Sequence, residues 1–156
     1  MKQALALALT VAAAASGTAA GTAHAGSAGT RTTQAPEASL TLKVRQTRFG
    51  KILFAGNGRV LYGFTRDRRG GPSQCYGDCA AAWPVYYAPA LLTAGVGVKR
   101  SLLGSVKRRD GRRQVTYNGW PLYYYAHERA GEIRCQNVRT HGGIWLVVRP
   151  NGALLR

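Results

Sequence analysis

The sequence predicts a mainly β domain: two related antiparallel three-strand meander repeats with one short helical turn. Three observations carry this. First, LTLKVRQTRFGKILFAGNGRVLYGFTRD (residues 40–67) aligns without a gap on SLLGSVKRRDGRRQVTYNGWPLYYYAHE (residues 101–128), at an offset of 61. Second, the identical pairs fall on turns and on one strand: they include Arg48/Arg109, Gly50/Gly111, Asn57/Asn118, Gly58/Gly119, Leu61/Leu122 and Tyr62/Tyr123, the pattern of an internal repeat. Third, the runs between the turns are short and rich in β-branched and aromatic residues.

The elements follow in order. Met1 to Ala25 has the form of a secretory signal peptide: Lys2 supplies the positive start, ALALALTVAAAA the apolar stretch, and Ala23-His24-Ala25 the cleavage pattern. Residues 26–39 (GSAGTRTTQAPEAS) are small and polar and read as a flexible lead-in. Residues 40–156 are expected to form a single β domain of two repeats, about 40–88 and 101–149. Strands are expected near 40–47, 51–56, 59–65, 102–108, 112–117 and 120–126. Asn57-Gly58 and Asn118-Gly119 supply the φ > 0 residues that close hairpins, Asp110-Gly111 is a second turn signal with Phe49-Gly50 as its partner, and Asn151-Gly152 folds LVVR against ALLR. Each repeat has a tail with a cysteine and a tryptophan. In CYGDCAAAWPV (residues 75–85) Asp78 is expected to N-cap a short helix, whereas CQNVRTHGGIWLVV (residues 135–148) carries no helix signal.

Strand periodicity puts Tyr123 and Tyr125 on one face and Leu122 and Tyr124 on the other, with Tyr62 and Phe64 on the matching face of the first repeat. Aromatics at the same place in both halves are expected to be core or half-core, with their hydroxyls at the rim. Tyr124 stands where the first repeat has Gly63 and is expected to be the exposed one.

Without residues 1–25 the chain carries 21 Lys and Arg against 6 Asp and Glu, or +15. That excess favours polyanions as partners. The basic clusters are Arg66, Arg68 and Arg69, then Lys99 and Arg100, then Lys107, Arg108, Arg109, Arg112 and Arg113 across the turn at Asp110-Gly111. At that hairpin tip four or more cations are expected to project, either as a solvated, Arg-biased surface or as a docking spot for an anionic envelope polymer, an acidic membrane surface or nucleic acid. No specific nucleic-acid motif is present.

Cys75, Cys79 and Cys135 in an oxidising setting imply one disulfide and one thiol, and spacing alone leaves three pairings open. No metal-ligand spacing or haem-attachment motif occurs, so no metal or cofactor is expected. Asp67 and Glu128 are acids at equivalent positions, and two copies of one environment argue against an acid/base pair.

At these residues the sequence resembles the bacterial family of secreted repeats of unknown function, lipoproteins and secreted proteins with tandem copies of a Tyr-x4-Asp motif, also written Y-x-(F/W/Y)-x-x-D. Tyr62, Phe64 and Asp67 match it in full, and Tyr123 and Tyr125 match it in the second copy, where Glu128 replaces the Asp. Cys75-Tyr-Gly-Asp-Cys79 followed by Trp83-Pro84 looks like the family's CxGxC…WPP segment, with Val85 in place of the second proline. The resemblance implies a Cys75–Cys79 bond with Cys135 as the extra thiol. It implies no activity. Many relatives are lipid-anchored, and no cysteine precedes Cys75 to carry a lipid.

The expected function is an exported, soluble, non-enzymatic β-repeat module of the cell envelope or extracellular space, binding or structural in role. The alternative is an extracytoplasmic redox or electron-transfer accessory using its cysteines and tyrosines.

Overall fold

Hairpins dominate because Gly and Asn sit where the chain must turn. β1 (Leu42–Thr47) pairs antiparallel with β2 (Gly50–Ala55), and Gly50, at φ 79°, takes the left-handed conformation after the tip residues Arg48 and Phe49. β4 (Leu103–Lys107) pairs with β5 (Arg113–Tyr117), and β5 with the two-residue β6 (Trp120–Pro121). The computed structural model describes residues 41–156. The expected signal peptide, the lead-in and the first residue of the first strand lie outside the described residues.

The two Asn-Gly turns differ. Asn118 (φ 49°) and Gly119 (φ 77°) are both left-handed and form a two-residue hairpin closed by Tyr117 and Trp120. In the first repeat only Gly58 is left-handed, and a three-residue loop runs from Ala55 to Arg59, whose carbonyl accepts the Ala55 N–H at 2.9 Å. The extra residue shifts the first register by one, so Phe54 faces Val60.

Among the described residues the fold is mainly β, in three small antiparallel sheets, and it departs from two independent meanders at the third strand. β3 (Tyr62–Phe64) leaves its own repeat and pairs with β8 (Gly143–Val147) of the second, which also pairs with β7 (Val138–Thr140). The mirror arrangement joins Val85 of the first repeat to Tyr123 of the second, with Tyr124 N–H donating to Pro84 O at 2.8 Å. Between these, Tyr62 and Tyr123 pair with each other, N–H to O in both directions at 2.9 and 3.0 Å. The midpoint of that reciprocal pair is the pseudo-twofold centre of the domain, where each repeat borrows the other's tail strand.

Helix α1 (Asp78–Ala82) is the expected helical turn, and a single 3₁₀ turn covers Arg100–Leu102. Asp78 does not cap α1: Gly77 is the N-cap and no side chain closes it, so Asp78 lies in the first turn, where a carboxylate still opposes the positive helix end. Asn151-Gly152 closes the last hairpin, with Val148 facing Leu154.

Alternation along the strands builds two cores. Ile52, Phe54, Tyr62, Phe64, Trp83, Tyr123, Trp145 and Val147 fill one. Leu53, Ala55, Leu61, Leu122, Tyr124 and Val148, with the repeat-equivalent Leu42 and Leu103, fill the other. No described helix is long and apolar enough to cross a membrane.

Candidate functional site

The repeat-equivalent tyrosines and acids converge on the pseudo-twofold centre, and they cross over. Tyr62 Oη donates to Glu128 Oε1 at 2.7 Å, and Tyr123 Oη donates to Asp67 Oδ2 at 2.7 Å. Each bond thus joins the tyrosine of one repeat to the acid of the other. Each acid also ties down its own repeat just before the cysteine: Asp67 Oδ1 accepts the Gln74 N–H at 2.7 Å, and Glu128 Oε1 the Arg134 N–H at 2.5 Å. From acid to cysteine the second repeat is one residue shorter. There the Cys135 N–H reaches Tyr62 Oη directly at 3.2 Å, whereas in the first repeat Ser73 Oγ lies between, 2.7 Å from Tyr123 Oη and 3.1 Å from the Cys75 nitrogen.

Both hydroxyls are therefore deep in the core, and not at the rim as expected, because a buried carboxylate gives each a strong acceptor. Burial pushes the Asp67 carboxyl up to about 6, opposed by the hydrogen bonds from Tyr123 and Gln74. Burial raises Glu128 as well, against the bond from Tyr62. Both phenols are pushed far above their ordinary value, first by burial, so they keep their protons and act as donors. The carboxylates, 4% and 5% exposed, engage different tyrosines, an arrangement that clamps the two repeats together.

Over this clamp lies an aromatic stack with the same symmetry. Phe64 stacks on Trp145 (4.1 Å between ring centroids), Trp145 on Trp83 (3.9 Å), and Trp83 meets Tyr125 (4.9 Å), so again each third strand packs on the other repeat's tryptophan. Tyr62 and Tyr123 stand edge-on to Trp83 and Trp145. Sequence reasoning placed the tyrosines in the core but missed the two tryptophans as its centre; their recurrence once per tail was the available signal.

Cys75 and Cys79 form the disulfide that the resemblance implies, and Cys135 is a buried free thiol. Burial pushes that thiol up to about 11, with the nearby Glu128 adding to the effect. Among the described residues no cluster of His, Cys, Asp and Glu has the makings of a metal site.

Of the basic residues singled out, the structure brings Lys107, Arg109, Arg112 and Arg113 together as exposed groups at the β4–β5 tip. Arg108 does not project with them. It is 4% exposed, donates to Gln114 Oε1 and Cys75 O at 2.8 Å each, and lies over the Tyr76 ring. The chain turns there, so its side chain points inward, where a carbonyl and an amide meet its donors. Arg109 covers Tyr76, and Arg112 covers Tyr87 while pairing with Asp110 at 2.9 Å. Arg66, Arg68 and Arg69 are exposed elsewhere; Arg66 donates to His141 O, and Arg69 to Asn118 O and Oδ1.

Beside the tip runs a cleft that the sequence did not disclose. One lobe, about 520 Å³, is lined by Tyr86, Tyr87, Tyr124, Asn57 and Thr41; the next, about 430 Å³, by Tyr87, Arg112, Arg113 and Ser105. The lobes share Tyr87, Ala88 and Pro89. Tyr124, expected to be exposed, is 9% exposed: its ring packs against Tyr86 (5.2 Å) with Arg59 over it (4.4 Å). Tyr86 is held by a hydrogen bond to Thr41 O at 2.5 Å, and burial pushes its hydroxyl up to about 12.

No curated protein and no solved structure matches this chain. A family described as a secreted repeat of unknown function matches twice, at residues 43–86 and 104–149, over more than half of the chain. Those two matches fall on the two halves that the Tyr62–Tyr123 pair joins, and the chain belongs to the family of secreted repeats of unknown function.

Proposed function

We propose that this secreted repeat module is soluble and non-enzymatic, and that it binds anionic polymers of the cell envelope or extracellular space through the β4–β5 tip. The observation that carries this reading is the charge left uncompensated there. Lys107, Arg109, Arg112 and Arg113 are exposed, while the single ion pair among the described residues is Arg112–Asp110. Two of the domain's acids, Asp67 and Glu128, are buried in the clamp and add no compensating charge to the surface. Clustered exposed cations attract polyanions with a strong dependence on salt.

The non-enzymatic part is supported by the clamp: its titratable groups are enclosed and bonded to one another. The redox alternative finds less support, because Cys75, Cys79 and Cys135 are all buried and the free thiol is held in its protonated form. The test is binding of a labelled polyphosphate, followed by fluorescence anisotropy across a salt series. The expected result is salt-sensitive binding that falls by about tenfold or more when Arg109, Arg112 and Arg113 are changed together to Gln. Unchanged binding in that variant, or none by the wild type, would overturn the reading.

A further inference from the structure

We propose that the cleft formed by Tyr86, Tyr87 and Tyr124 is a sugar-binding site, so that the ligand of the basic tip is an acidic oligosaccharide. The inference rests on the anionic-polymer reading above and specifies its ligand.

The two lobes meet at Tyr87, which puts an aromatic hollow directly beside two guanidinium groups. Their volumes, about 520 and 430 Å³, fall in the range of small-molecule sites, about 300–1,000 Å³. Three tyrosines with Asn57 and Thr41 line one lobe, and Tyr87 with aliphatic residues and Ser105 lines the other beside the two arginines. That composition suits a ring with apolar C–H faces and a hydroxyl periphery. Charge complementarity supplies the rest. Arg113 uses Nε and Nη2 on Ser105, and Arg112 uses Nε and Nη2 on Asp110 and Tyr87, so each of these five-donor groups keeps N–H bonds for a ligand carboxylate or phosphate.

A nucleic-acid base fits less well. Base stacking needs a free aromatic face. The Tyr87 face is taken by Arg112, 3.8 Å from the ring centroid, and Tyr86 and Tyr124 are inclined by 56°, leaving no parallel slot for a flat ring. A puckered pyranose also packs its C–H groups on ring faces, but it reaches inclined rings without a parallel slot.

The probes are a short oligogalacturonate, its methyl ester, polyphosphate and a single-stranded oligonucleotide, titrated against the wild type, Tyr87→Ala and Arg113→Gln. Oligogalacturonate is expected to bind about tenfold or more tighter than its neutral ester. Tyr87→Ala is expected to weaken oligogalacturonate by a similar factor and polyphosphate, which loses only the Tyr87 hold on Arg112, by clearly less, and Arg113→Gln to weaken both. Amide shifts in the wild type, which need no variant, should be largest at Tyr86 to Ala88 and at Arg112 and Arg113. Equal loss of both ligands in Tyr87→Ala, shifts confined to the tip, or Tyr87-dependent binding of the oligonucleotide would overturn the sugar site while polyanion binding stands. Binding of none of the four would overturn both.

Discussion

The two repeats are alike on one face, and on the other they part at the middle of the third strand. On the motif face, Tyr62, Phe64, Asp67 and Trp83 have close counterparts in Tyr123, Tyr125, Glu128 and Trp145, and each set bonds or stacks across the pseudo-twofold centre. On the opposite face, Gly63 in the first repeat corresponds to Tyr124 in the second. A Cβ at Gly63 would come within 2.5 Å of Leu154, which folds in from the last hairpin, whereas Tyr124 fills the equivalent space with its own ring and lines the cleft with Tyr86. The shared face holds the halves together. The other face keeps Leu61/Leu122 and Leu42/Leu103 but differs at Gly63/Tyr124, where the cleft lies.

The largest test of this contrast is the stack. Trp83→Ala and Trp145→Ala are each expected to cost about 3–5 kcal/mol, and to cost nearly the same, in chemical denaturation. A large difference between them would show that the stack is not shared equally.

Next in size is a pH effect that belongs to the clamp. The Asp67 carboxyl is raised from 3.8 to about 6 by burial, so the folded state holds a proton that the unfolded chain releases. The stability this gives is complete below the unfolded value and is lost as pH rises through about 6. Asp67→Asn is expected to flatten the stability–pH curve between those limits by about 2–3 kcal/mol relative to wild type. Parallel curves for the two proteins would contradict this.

A smaller effect separates the two cysteine positions. Cys75 is bonded within a short loop and its counterpart Cys135 is free. Replacing Cys75 and Cys79 together by Ala is expected to cost about 2 kcal/mol. Cys135→Ala should cost less, about 1 kcal/mol, because it removes one buried sulfur and no cross-link. Denaturation midpoints compare the two directly.

Much of this plan was legible in the sequence. Asn-Gly and Asp-Gly marked turns because few other dipeptides adopt φ > 0 cheaply, and strand alternation placed Tyr123 and Tyr125 opposite Leu122 and Tyr124. Partners were less legible. A strand's pattern says which face is buried, but not which neighbour lies on its edge, so the exchange of tail strands and the crossed tyrosine–acid bonds could not be read from it. The same limit misplaced Tyr124, whose burial comes from Tyr86 and Arg59 far away in the chain. Arg108 was misplaced because charge patterning does not reveal which member of a basic run turns inward. The two Asn-Gly turns diverged because the loop before Arg59 takes in Gly56 as well.

The most direct test of the crossed clamp is a double-mutant cycle on Tyr62→Phe with Glu128→Gln, set beside one on Tyr62→Phe with Asp67→Asn. The bond from Tyr62 to Glu128 predicts a coupling of about 1–3 kcal/mol in the first cycle and about zero in the second. Coupling between Tyr62 and Asp67, the pair within one repeat, with none to Glu128, would contradict the account.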